Sequence, residues 1–383
     1  MTPGARLQAA IEILDTIRAG RPAEQALTNW GRGNRFAGSK DRAAIRDHVF
    51  DCLRCLRSFA HLGGRDDGRG LVLGLLRAAG TDPATLFTGT GYAPPALTDA
   101  DTPNPASMPR GVALDCPDWL LPYFERSLGA KADPVLRALR QRAPVVLRVN
   151  LARVTVGQAA ERLAQDGMDT RPVPLAHTAL QVTGNARRIR QSGAFLDGWV
   201  ELQDAASQAV LAELDDLAGQ QVLDYCAGGG GKALAMAAAG AHVTAHDADP
   251  ARMKDLPARA ARAGAGISVQ PRVEGRFDLV MTDVPCSGCG AWRRAPEGKW
   301  ALTGAKLAEL QDVQARILTE AWDHVRPGGT LAYATCSLLD EENIQQVEAF
   351  VSRTRKASLA RHRRFTPLDG GDGFYIAIIF KQS

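Results

Sequence analysis

Apolar side chains recur every three or four residues at the start of the chain. Leu7, Ala10, Ile11, Leu14 and Ile17 share one face of a helix that Gly20 and Pro22 end, and a second helix carries Ala26, Leu27 and Trp30. The same spacing predicts a third helix over 39–59, with Ile45, Val49, Leu53 and Leu56 on one side. Between 88 and 117 the period vanishes and Pro94, Pro95, Pro103, Pro105 and Pro109 crowd together, which reads as a linker. A helix over 119–128, a strand over 145–149, a helix over 156–165 and short strands near Leu175 and over 180–183 then predict a small α+β unit. From 201 onward strands and helices alternate. A helix over 201–217 leads to a strand ending at Asp224, a helix over 233–241 and a strand over 242–246. There follow a helix over 250–263, a strand over 277–282, a helix over 306–325, a strand over 330–334, a helix over 341–353 and a closing strand over 373–380. That alternation predicts an α/β domain on a mostly parallel sheet. The expected division is an all-α domain over 1–87, a linker over 88–117, a small α+β domain over 118–200 and a Rossmann-like domain over 201–383.

The sharpest local signal is QVLDYCAGGGGK at 221–232, an apolar strand that breaks into four glycines and runs on into helix-forming alanines. Strand, glycine turn and helix open a doubly wound domain, with a ligand over the strand's carboxyl end facing the helix's free N–H groups. Gly228, Gly229, Gly230 and Gly231 let a ligand approach the backbone closely. Asp247, at the end of the next strand, stands where an acid bonds the hydroxyl pair of a ribose. Lys232 is followed by Ala233 rather than Ser or Thr, so a phosphate-binding loop for triphosphate hydrolysis is disfavoured. A nucleoside methyl donor such as S-adenosylmethionine fits better.

Composition narrows the setting. A chain of 383 residues with 45% hydrophobic and 23% charged residues is expected to hold two or three globular domains. The opening MTPGARLQAA has no apolar core, no apolar run reaches membrane-spanning length, and seven cysteines suit reduced thiols, so a cytoplasmic protein with no membrane partner is expected. Cys52 and Cys55 read as helix packing rather than zinc ligands, and no metal is expected. The formal charge is only +4, yet Arg32, Arg35, Lys40, Arg42 and Arg46 cluster, as do Arg187, Arg188 and Arg190. Arg353, Arg355, Lys356, Arg361, Arg363 and Arg364 gather with no acid among them. Singly these are solvated surfaces, but beside a nucleoside site they point to a polyanion.

Two cysteines follow the carboxyl ends of successive predicted strands, Cys286 in Asp283-Val-Pro-Cys286 and Cys336 in Thr335-Cys336-Ser337. Either alone would read as a small buried hydrophobe. Loops at such strand ends converge beside the ligand, so both thiols and Asp283 can face one crevice. Carbon 5 of cytosine is a poor nucleophile until a thiolate adds at carbon 6, and covalent catalysis then splits one hard step into easier ones. Asp283 suits proton support at N3, one of the two thiols suits the attack, with a basic side chain such as Lys232 to help it ionise, and the other suits release.

These stretches, with Trp292-Arg293-Arg294 through Lys299-Trp300, resemble the RsmB (Sun/Fmu) type of RNA cytosine-5 methyltransferases over essentially the whole chain. The resemblance implies a NusB-like RNA-binding domain at the N-terminus, with Arg148-Val149-Asn150 and Gln203-Asp204 in the connection to the catalytic core. It implies that Cys336 is the nucleophile and that Cys286 helps release the product, the reverse of DNA cytosine-5 methyltransferases, where the Pro-Cys cysteine attacks. It also implies an S-adenosylmethionine site formed by Cys226, Ala227, Gly228, Gly229, Gly230, Gly231, Lys232, Asp247 and Asp283. The family's usual Ala-Pro-Gly-Gly-Lys-Thr is replaced by four glycines, Lys232 and Ala233, and 264–275 holds no clear adenine-side Asp. The expected function is methylation of carbon 5 of a cytosine in RNA, with small-subunit ribosomal RNA as partner. The alternative is an RNA-binding ribosome-assembly factor whose cofactor loop has drifted; a small-molecule methyltransferase would need neither two thiols nor a basic helical domain.

Overall fold

A computed structural model describes residues 1–383, which form two compact units, 1–142 with 292–301 and 143–291 with 302–383. In the first, α1 (Pro3–Arg18), α2 (Ala23–Gly33), α3 (Ser39–Arg54), α4 (Leu56–Gly63) and α5 (Gly68–Ala78) enclose a core that includes Leu7, Leu14, Ile45, Val49, Leu71 and Leu73. Thr2 starts α1 by accepting the Ala5 N–H at 3.2 Å. The α4 and α5 backbones nearly touch, since a Cβ on Gly74 would stand 2.0 Å from the Phe59 carbonyl oxygen. The single helix expected over 39–59 is two helices, because Cys55 leaves helical geometry with φ −118° and ψ 37°. Cys52 and Cys55 are both buried in this core.

The Pro-rich stretch 88–117, expected as a linker, is anchored on the helices. Asp101, within it, is buried and ion-paired to Arg69 at 2.8 Å, and Arg57 reaches Asp118 at 2.8 Å. Residues 118–142 also belong with the helices, so the chain passes to the second unit only after Arg142.

The segment 292–301 completes the first unit by satisfying helix ends. Lys299 Nζ donates to the Arg54 carbonyl at 2.9 Å and Trp300 Nε1 to the Leu53 carbonyl at 2.7 Å, both at the open C-terminus of α3. Glu297 accepts the free Ala23 N–H that opens α2, at 2.7 Å. Burial pushes the Lys299 ammonium down to about 8.

The second unit holds two sheets. An antiparallel sheet in the order β2-β3-β1-β4 joins β1 (Val145–Val149), β2 (Thr170–Pro172), β3 (Ala179–Val182) and β4 (Val200–Leu202), with a helix over Val156–Gln165. The edge strand lies at 170–172 rather than near Leu175. Residues 201–202 pair with β1 instead of starting the expected helix, which begins only after Asp204 accepts the Ala206 N–H at 2.8 Å.

The larger sheet contains β5 (Gln221–Asp224), β6 (His242–Ala245), β7 (Ile267–Val269), β8 (Phe277–Asp283), β9 (Val325–Thr335), β10 (Ala357–Phe365) and β11 (Phe374–Lys381), ordered β10-β11-β9-β8-β5-β6-β7. Strands β7 through β9 pair in parallel, and β11 alone runs against its neighbours. The strand order reverses between β5 and β8, which opens a crevice at their carboxyl ends. Strands β7 and β10 were not expected. Residues 361–364 of β10 meet their acids from elsewhere in the chain: Arg361 pairs with Asp215 at 2.8 Å, Arg363 with Glu213 at 2.7 Å, and Arg364 with Asp340. No helix is long and apolar enough to cross a membrane.

Candidate active site

The crevice collects four loops, after β5, β6, β8 and β9. In the first, Gly228 and Gly230 take φ of +50° and +80°, and a Cβ on Gly230 would meet Leu256 Cδ1 at 2.1 Å, so only glycine fits there. Asp247 is buried behind this turn, accepting the Gly228 N–H at 2.9 Å and the Asp249 N–H at 3.0 Å, and pairing with Arg252 at 3.1 Å. A pocket of about 300 Å³ opens in front, lined by Gln203, Ser207, Asp224, Cys226, Ala227, Gly228, Gly229, Gly231, Lys232, Arg252, Arg259 and Asp283. Gly230 and Asp247, both expected at the cofactor, brace the turn and do not line this pocket.

The pocket floor is acidic with one buried cation. Lys232 Nζ lies 2.5 Å from Asp283 Oδ2, 3.4 Å from Ser207 Oγ and 4.8 Å from the centre of the Phe374 ring. Its ammonium is thus engaged by Asp283 rather than by Cys336. Burial pushes Asp224 up to about 7; Lys232 pulls the other way and Asp283 adds to the rise. Burial likewise raises the Cys226 thiol, with Asp224 contributing. Arg148 of β1 supports the turn from the smaller sheet, donating to the Gly231 carbonyl at 2.6 Å and to Gln203 Oε1 at 2.7 Å. No group of three or more His, Cys, Asp or Glu side chains is arranged to hold a metal ion.

Cys286 and Cys336 meet at 3.4 Å between sulfurs, at the ends of neighbouring strands β8 and β9. The hydrogen bond with Cys336, and then burial, hold the Cys286 thiol well above its ordinary range. Backbone bonds tie these two loops to each other and to the turn before β11: Gly290 N donates to the Cys336 carbonyl at 2.9 Å, and Gly373 N to the Gly290 carbonyl at 2.8 Å. A Cβ on Gly290 would stand 2.2 Å from the Gly373 carbonyl oxygen, so this approach too requires glycine.

Beneath the thiols lies Glu342, fully buried and absent from the sequence-based site. Its Oε1 accepts from Ser287 N at 2.7 Å and Gln314 Nε2 at 3.0 Å, and its Oε2 accepts from Ser287 Oγ and Ser337 Oγ, each at 2.5 Å. Ser287 follows Cys286 and Ser337 follows Cys336, so one carboxylate gathers both cysteine loops. Asn343 adds a second tie, accepting from Thr335 Oγ1 at 2.5 Å and donating to the Ser337 carbonyl at 3.0 Å. In sequence these residues sit in an ordinary acidic run, 340–343, that reads as the start of a helix.

Comparison with known proteins bears on this geometry. The family model for "16S rRNA methyltransferase RsmB/F" matches residues 211–379, and that for the "Methyltr_RsmF/B-like, ferredoxin-like domain" matches 116–187. This chain belongs to the RsmB/F methyltransferase family. Within that family it is 34% identical over 288 residues to the ribosomal RNA small subunit methyltransferase B of Klebsiella pneumoniae, covering 70% of this chain. It is 35% identical over 285 residues to the protein of that name in Pectobacterium carotovorum, again covering 70%. The match spans 66% of the length of each of these relatives. Among solved structures, PH0851 superposes with a TM-score of 0.79 at 22% identity, covering 100% of this chain and 99% of that one. A methyltransferase homologue from Pyrococcus horikoshii gives 0.63 at 24% identity over 72% of this chain and 99% of its own. These likenesses agree with the Rossmann-like methyltransferase domain and helical N-terminal region of this RsmB/F chain.

Proposed function

We propose that this RsmB/F chain transfers a methyl group from S-adenosylmethionine to carbon 5 of a cytosine in RNA, with small-subunit ribosomal RNA as substrate. The observation that carries the reading is the thiol pair, 3.4 Å apart on adjacent strand ends. The names of the curated relatives support the RNA class, and NSun6 from Pyrococcus horikoshii, which has a TM-score of 0.60 to this chain, was solved with SFG, an analogue of the methyl donor.

The residues present fit that donor. Asp283 complements its positive charges, Asp224 offers buried carboxyl oxygens beside it, and the glycine turn offers backbone without side chains. When bound, S-adenosylmethionine supplies an electrophilic methyl group. The protein's own part is to hold the base and manage protons. Cys336 attacks carbon 6, and Asp283, coupled to Lys232 at 2.5 Å, supports N3 as electron density enters the ring. After methyl transfer the carbon 5 proton must leave so that the carbon 6–Cys336 bond breaks and the Cys336 thiolate is returned; Cys286, 3.4 Å from the Cys336 sulfur, assists this release.

A denaturing gel with RNA and S-adenosylmethionine tests the assignment. Cys286→Ala should attack, methylate and then stall with RNA attached, while Cys336→Ala should give neither methyl transfer nor adduct. The opposite pattern would transfer the nucleophile to Cys286, and no measurable S-adenosylmethionine binding in the presence of RNA would remove the enzyme reading in favour of the assembly factor.

A further inference from the structure

The turn between α2 and α3 carries an aromatic side chain that the fold does not use. Phe36 is 73% exposed, at the tip of Asn34–Gly38. The turn beneath it is firmly built: Ala37 N donates to the Asn34 carbonyl at 3.1 Å, and Asn34 Nδ2 to the Trp30 carbonyl at 2.8 Å. Arg42 Nε holds the Ala37 carbonyl at 2.8 Å, and Ala37 is buried. Phe36 is therefore presented by an ordered turn, with little conformational freedom left to lose on binding.

Its sequence neighbours are cations. Arg32, Arg35 and Lys40 are exposed, and none is taken up in an ion pair or hydrogen bond. Arg42 and Arg46, from the same basic cluster, are occupied: the first under the turn, the second with Glu24. Protein-binding patches bury an apolar core from which charged residues are depleted, whereas here a single ring has charged side chains as its neighbours. A single flat ring among free cations instead matches a surface on which an unpaired base stacks while the phosphates meet positive charge.

We propose that Phe36 is a base-stacking platform for a single-stranded segment of RNA, with Arg32, Arg35 and Lys40 as its phosphate contacts. This rests on RNA being the partner, and it adds the place and mode of contact. Base stacking and counterion release leave different signatures, because stacking releases no ions whereas each phosphate contact on a single strand contributes about 0.7 to the salt slope.

The full-length protein is titrated with a short, unstructured oligouridine at several salt concentrations, following fluorescence anisotropy. Phe36→Ala should weaken binding about 5- to 150-fold with the salt slope unchanged, and Phe36→Trp should restore affinity where Phe36→Leu does not. Arg35→Ala should lower the slope by about 0.7. Equal affinity for Phe36→Ala and the parent overturns the stacking site while leaving RNA as the partner, and no binding by the parent itself overturns both. If Phe36→Ala keeps its RNA affinity but sediments as a smaller species, the ring packs against a second copy of the chain, and the proposal falls.

Discussion

Replacing Glu342 tests whether a hydrogen-bonded carboxylate, rather than a charge, sets the spacing of the two thiols. In Glu342→Ala the partners do not suffer equally. Gln314 keeps the Pro285 carbonyl at 3.0 Å, and the Ser287 and Ser337 hydroxyls, 3.4 Å apart, can turn to each other. The Ser287 N–H, in the loop that carries Cys286, loses its acceptor, at about 1–3 kcal/mol, and the emptied volume adds to this. Glu342→Gln should behave differently. Its oxygen can still accept from Ser287 N and Gln314, and its NH₂ has two hydrogens for the two hydroxyls, which need only rotate to become acceptors. Because every partner of the carboxyl stays paired in this swap, its net cost should stay within about 1 kcal/mol. Two readouts separate geometry from overall stability. Urea unfolding should order the variants parent, Gln, Ala, and diamide should close the Cys286–Cys336 disulfide quickly in parent and Gln but slowly in Ala. Methyl transfer should fall about a hundredfold in Ala, the scale of a 1 Å misplacement. A Gln variant as impaired as Ala would show that charge matters and refute the reasoning, as would an Ala variant whose thiols cross-link at the parent rate.

Asp224, at about 7 when folded against about 3.9 unfolded, keeps a proton in the native state that the unfolded chain has released, so its contribution to stability falls as pH rises from about 4 to about 7. Asp224→Asn should flatten that part of the profile, by up to about 4 kcal/mol across the window, in chemical denaturation at successive pH values. Gly230→Ala forces a side chain into φ +80° and against Leu256, and should cost about 2–4 kcal/mol in denaturation and weaken S-adenosylmethionine binding in calorimetry. Parent-like affinity there would mean that the turn can relax without reshaping the pocket.

What the sequence showed and what it hid follow from the range of the interactions. The strand at 145–149, the helix at 156–165 and the strand, glycine turn and helix from 221 onward are written in local periodicity, and they appear where expected. The meeting of Cys286 with Cys336 could be inferred because strand ends in this topology converge, although the two lie 50 residues apart. Glu342 left no such trace: its role depends on four donors from three separate segments, and burial is the only property that sets it apart from Glu341 beside it. Asp247 shows the converse. Its position at the end of β6 was legible, but the bond by which it also holds the glycine turn, from the Gly228 N–H at 2.9 Å, was not. Strand β10 was hidden because its arginines read as a basic tail, and the acids that meet them belong to 213–215 and 340.

The excursion of 292–301 gives the helical unit an unusual relation to protein synthesis. The first 142 residues leave the ribosome long before the segment that caps α2 and α3, and the roughly 150 residues between take about 8–30 s to make at typical rates. Through that interval the carbonyls of Leu53 and Arg54 lack the donors they have in the finished fold. The nascent helices therefore wait in an unfinished form, open to chaperones, until Trp300 arrives. The same arrangement bears on fragments. A piece ending at 142 would lack the strip that closes it, and a piece starting at 143 would carry Trp292, Lys299 and Trp300 without their partners, so neither is the separate domain that a cut in the linear sequence suggests.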